Sequence, residues 1–121
     1  MKFVRGIALL AALATGDAFA AYALSPYQAI PTAGSTETVA IGDIDGDGRN
    51  DVVVATNGNY SVLVFFQKAD GTLDAPKKFA YGYANQTGLV LADLDGDRRT
   101  EIVLGHVSGI TIFHWGMMGL S

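Results

Sequence analysis

Residues 39–55 read VAIGDIDGDGRNDVVVA, and residues 89–105 read LVLADLDGDRRTEIVLG. Laid over each other at an offset of 50 residues, the two stretches agree in kind at nearly every position. Each is an apolar run, then an acidic loop, then a second apolar run. Self-similarity at a fixed period of this size marks a repeat architecture. The match also extends upstream, where Pro26 falls on Pro76.

The segments around the loops read as strands. Val52–Ala55 and Ile102–Leu104 are rich in β-branched residues and too short for helices. Asn57-Gly58 signals a hairpin into a strand over 61–67. Asp70-Gly71 signals another turn, and 77–81 reads as an edge strand guarded by lysines. In the second copy Gly109 turns the chain into 110–114. One further strand is expected near Tyr27–Ile30, which brings the total to eight. Outside the N-terminus no segment keeps a 3.6-residue apolar period. The expected fold class is all-β, with about two four-stranded antiparallel β-propeller blades over 24–116. Repeat one covers about 37–83 and repeat two about 87–116. A ring of blades typically needs four to eight, so these two form an incomplete propeller.

The chain has 121 residues and no Cys, which excludes a disulfide framework or a thiolate metal site. Lys2 and Arg5 precede an apolar run through Gly16, and Ala18-Phe19-Ala20 fits a signal-peptidase site. Residues 1–20 are therefore expected to be an export signal, with cleavage after Ala23 as the alternative. The apolar run is short of the roughly 20 residues a membrane span needs, and no other stretch in the mature chain reaches that length. Secretion to a periplasmic or extracellular space follows as an expectation.

Removing 1–20 takes Lys2 and Arg5 from 8 basic residues and Asp17 from 12 acidic ones, leaving 6 and 11, a net charge of −5. Eight of those 11 acids lie in the two loops; Glu37, Asp70 and Asp74 are the others. Nucleic acid is thus an unsuitable partner, because its recognition needs clustered Lys and Arg. The loops carry carboxylates at positions 1, 3, 5 and 9: Asp43, Asp45, Asp47 and Asp51, then Asp93, Asp95, Asp97 and Glu101. Four like charges so close repel, at on the order of 1 kcal/mol per pair near 4 Å in water. A hard cation with oxygen ligands offsets this, and Ca²⁺ accepts six to eight oxygens in flexible geometry. The carbonyls of Arg49 and Arg99, at position 7, are candidate backbone ligands. Position 12 is Val54 or Leu104 rather than Glu, and strands flank the loop, so this is not an EF-hand.

Arg98 stands where the first loop has Gly48. If that position needs φ > 0, Arg98 is strained there, and it also places positive charge near an ion. Two Ca²⁺ ions are therefore expected, the second held more weakly. Nothing near the loops suggests catalysis, so no enzyme activity is expected. His106 and His114 read as strand-edge residues, and Trp115 as a packing residue.

The run from Val39 through Leu73 resembles an FG-GAP-type repeat of VCBS repeat-containing proteins, and integrin α-chain propellers carry a related repeat. The resemblance covers about 26–113. It implies propeller blades with Ca²⁺ in the loop between the first two strands of each. It also implies an exported protein used in cell adhesion, ligand binding or as a scaffold, with an unidentified protein or carbohydrate as its partner. Carried over by position, the ligands are Asp43, Asp45, Asp47, the Arg49 carbonyl and Asp51, then Asp93, Asp95, Asp97, the Arg99 carbonyl and Glu101. The Gly-Ala-Pro element of the integrin version is absent; Ala55-Thr56-Asn57 stands there. Because the family usually has more blades, the alternatives are an oligomeric lectin or adhesin, or the accessory propeller of a larger secreted enzyme.

Overall fold

The computed structural model describes residues 23–116 and the backbone of 119–120; the expected signal at 1–20 lies outside them. The chain divides into one unit up to Ile30 and a second from Pro31 to Ser121. In the first unit, residues 23–30 are exposed and form no strand. The strand expected at Tyr27–Ile30 is therefore corrected: Tyr27-Gln28-Ala29-Ile30 finds no neighbouring ladder.

The second unit is all-β among the described residues, and no helix is long and apolar enough to cross a membrane. Its first sheet runs β1 (Ser35–Gly42), β2 (Asp51–Asn57), β3 (Ser61–Phe65) and β4 (Lys77–Ala80), each antiparallel to the next. Its second sheet runs β5 (Gln86–Ala92), β6 (Glu101–His106) and β7 (Gly109–Phe113). A separate hairpin pairs β8 (Trp115–Gly116) with β9 (Gly119–Leu120). The sheets are thus a four-stranded and a three-stranded antiparallel blade. The repeat extends to the irregularities: β1 bulges between Thr36 and Thr38, and β5 between Gln86 and Gly88, 50 residues later.

Strand alternation sorts the apolar side chains onto two faces. Val53, Ala55, Val62 and Val64 share the trailing face of sheet one, since Val53 pairs with Val64 and Ala55 with Val62. All four are fully buried. They form one core with Leu89, Leu91, Ile102, Leu104 and Phe113 on the leading face of sheet two. Gly42 eases this approach: a Cβ there would lie 3.1 Å from the Leu91 Cδ1, which would have to give way slightly. A polar tie crosses the same seam, as Gln86 Nε2 donates to the Thr56 carbonyl at 3.2 Å; the Tyr81 hydroxyl, just past β4 of sheet one, donates to the same carbonyl at 3.1 Å. The β1–β2 and β5–β6 connections are the acidic loops, and each leaves its sheet between the first two strands.

Candidate metal centre

Each loop is built by its own carboxylates capping backbone N–H groups. Asp43 Oδ1 accepts from the N–H of Gly46 at 2.7 Å and of Asp47 at 3.1 Å, while Oδ2 accepts from Gly48 at 2.7 Å. Asp45 accepts from Asp47, and Asp47 from Arg49. The second loop repeats the scheme. Asp93 accepts from Gly96 at 2.7 Å and Arg98 at 2.9 Å, Asp95 from Asp97, and Asp97 from Arg99. Short Asp side chains suit this role because they reach the backbone two residues on.

The turns need left-handed residues at two positions. Gly46 and Gly48 have φ of 80° and 82°, and Gly96 has 81°. Arg98 adopts 71°, so the condition set by the sequence is met and a non-Gly residue carries the strain.

The ninth residue closes each loop from inside the sheet. Asp51 is fully buried; its Oδ2 accepts from Ile44 N–H at 2.9 Å and its Oδ1 from Gln67 N–H at 2.8 Å. It thereby joins the loop to the end of β3. Glu101 is also buried and accepts from Leu94 N–H at 2.7 Å.

The carboxylates gather differently in the two loops. Asp43, Asp45 and Asp51 offer oxygens within 4.8 Å of one another. Asp47 is outside that trio and pairs with the Arg49 guanidinium, whose Nε also donates to the Gln67 carbonyl at 2.8 Å. In the second loop Asp93, Asp95 and Asp97 meet within the same limit. Asp95 also meets Glu101 and His114 within it. His114, expected only as a strand-edge residue, thus lies at this loop. The pairing of Ile102 with Phe113 puts its neighbours Glu101 and His114 side by side, a cross-strand relation that follows once the register is known.

Burial, and after it crowding, shows in the acid chemistry. Desolvation pushes the Asp45 carboxyl above its ordinary 3.8, the Asp47 N–H pulls it back, and the charges of Asp51, Asp47 and Asp43 push it up again. Three carboxylates converging within 4.8 Å in each loop form a donor set matched to a hard divalent cation.

A family model described as an FG-GAP-like repeat matches residues 43–104. The chain belongs to the FG-GAP-like repeat family. That match begins at Asp43, the first carboxylate of the first loop, and ends at Leu104 on β6, so both acidic loops of this FG-GAP-like chain lie within it. No curated protein and no solved structure matches the chain. Other residues of the FG-GAP-like module pack rather than present themselves. Trp115 sits edge-on to Phe66 with ring centroids 5.6 Å apart, and His106 stacks on Tyr83 at 4.3 Å.

Proposed function

We propose that this FG-GAP-like module is an exported, calcium-stabilised β-propeller repeat that acts in adhesion, ligand binding or as a scaffold and has no catalytic role of its own. The observation that carries this reading is the convergence of three carboxylates within 4.8 Å in each loop, on loops that join the first two strands of each blade. One Ca²⁺ per loop offsets the repulsion and locks that connection. Asp43, Asp45 and Asp51 hold the first ion, and Asp47 joins when Arg49 releases it. Asp93, Asp95 and Asp97 hold the second, with Glu101 behind them. The Arg49 and Arg99 carbonyls complete the sets.

Extracellular Ca²⁺ sites commonly bind at about 10⁻⁴ to 10⁻³ M, so such loops fill outside cells, in agreement with the N-terminal export pattern. Two ions bring the mature charge from −5 to about −1. The partner is then a protein or carbohydrate bound elsewhere on the blades. The test is a thermal melt of the purified protein with Ca²⁺ and with chelator. At ten times Kd each filled site adds about 1.4 kcal/mol, so the melting point rises by several degrees. A melting point indifferent to chelator overturns the calcium reading.

A further inference from the structure

His114 stands where the first blade has Phe66. Val52 pairs with Phe65 and Ile102 with Phe113, so the next residue along occupies the same place beside the closing acid in each blade. The closing acids are also held differently. Both oxygens of Asp51 accept from backbone N–H groups, one from Ile44 and the other from Gln67. Glu101 is only 1% exposed, and among the described residues its Oε2 alone is capped, by Leu94 N–H. Its other oxygen lacks the donor that Gln67 supplies in the first blade. A buried carboxylate with acceptors unused is costly until something positive meets it. Asp95, Glu101 and His114 offer ligand atoms within 4.8 Å of one another, Asp95 and His114 at the surface and Glu101 buried. The Arg49–Asp47 contact is the only ion pair among the described residues, so the imidazole approaches both acids without pairing with either.

We propose that Asp95, Glu101 and His114 form a site for a divalent transition-metal ion, Zn²⁺ being the best fit, and that this site is chemically distinct from the calcium loops. Ca²⁺ takes oxygen ligands, whereas imidazole suits Zn²⁺. The His114 nitrogen is the feature that the Asp93, Asp95 and Asp97 trio lacks. Zn²⁺ is commonly held by three protein ligands with one position left open, each at about 2.1 Å, which sets the ligand atoms about 3.4 Å apart. Glu101 is fixed in the sheet, and the exposed Asp95 and His114 side chains can close the remaining distance around it. The ion then supplies the positive partner that the second oxygen of Glu101 lacks. Asp95 belongs to this set and to the acidic trio alike. Zn²⁺ here therefore weakens Ca²⁺ at the second loop, and by linkage Ca²⁺ weakens Zn²⁺ by the same factor. The first blade has no counterpart site, because Phe66 offers no ligand atom.

The test is calorimetry with Zn²⁺ and, separately, with Ca²⁺ on the purified chain without a histidine tag, compared with His114→Gln. His114 is exposed, so the variant keeps its fold, and circular dichroism checks it. The wild-type chain is expected to take up one Zn²⁺. Replacing even an outer partner of a metal site costs roughly 10–100-fold in affinity, so His114→Gln should weaken Zn²⁺ by at least about tenfold. The same variant should leave Ca²⁺ affinity unchanged, because no calcium ligand is lost. In the Asp43→Ala chain, which keeps only the second loop intact, saturating Zn²⁺ should weaken the Ca²⁺ that remains. A wild-type chain that takes up no Zn²⁺, equal Zn²⁺ affinity in His114→Gln, or a loss of Ca²⁺ affinity as large as that of Zn²⁺ overturns the proposal. Zn²⁺ uptake through His114 in a chain that binds no Ca²⁺ would remove the calcium reading alone, so the two fail separately.

Discussion

The two acidic loops share one plan and differ in how their fourth carboxylate is used. In the first, Asp51 is taken into the sheet, held by the N–H groups of Ile44 and Gln67, and still faces Asp43 and Asp45. Asp47 is drawn aside by Arg49. In the second, Asp97 stays with Asp93 and Asp95, and Glu101 meets Asp95 together with His114. The Arg49–Asp47 ion pair, the extra methylene of Glu101 and the His114 imidazole are what differ between the loops. Glu101 sits at the position of Asp51 but is longer, and among the described residues it caps Leu94 alone. A loop of fixed spacing therefore tolerates exchange of its closing acid, provided some carboxylate still ties the loop to the second strand.

The largest expected effect tests that tie directly. Asp51→Ala strands two backbone donors, each costing about 1–3 kcal/mol when buried and unpaired. Urea unfolding in chelator should show a loss of about 3 kcal/mol. Glu101→Ala strands one donor and should lose about half as much; equal losses would break the comparison.

Next comes the proposed inequality of the two loops as calcium sites. Asp43→Ala leaves the second loop, which carries Arg98 at its sixth position, and Asp93→Ala leaves the first. Calorimetry should find Ca²⁺ weaker in the Asp43→Ala protein, and the reverse order removes the ranking.

Backbone strain comes third. Arg98→Gly removes a side chain from a left-handed residue and should stabilise the metal-free protein by about 1 kcal/mol, less the entropy glycine adds to the unfolded chain. Gly48→Arg should cost a similar amount, and both are read from the urea midpoint.

The smallest effect is on pH dependence. The Asp45 carboxyl titrates above its ordinary value in the folded chain, so the folded state holds the proton more tightly than the unfolded one. That contribution is fully present below the unfolded value near 3.8 and is lost as pH rises through the folded value. Asp45→Asn should flatten this segment of the metal-free stability profile, and an unchanged slope would remove Asp45 as its source.

Much of this was legible in the residues themselves. Strand positions came from β-branched runs, turns from Asn57-Gly58 and Asp70-Gly71, and the loops from acids at alternate positions. Those are local signals, fixed by backbone sterics and by the reach of short side chains. The strand expected at Tyr27–Ile30 failed because a short apolar segment becomes a strand only beside a ladder, which its own residues do not reveal. His114 was missed at the second loop for a related reason: cross-strand neighbours depend on register.

The sequence by itself determined the repeat, the all-β class and the eight carboxylates that crowd the two loops, because each rests on spacing along one strand or turn. Only the tertiary structure decided which carboxylates meet, which one Arg49 removes, and which sheet faces are buried. Those outcomes depend on how strands far apart in the chain pair and stack. A one-residue shift in register would have moved every side chain of a strand to the other face of its sheet.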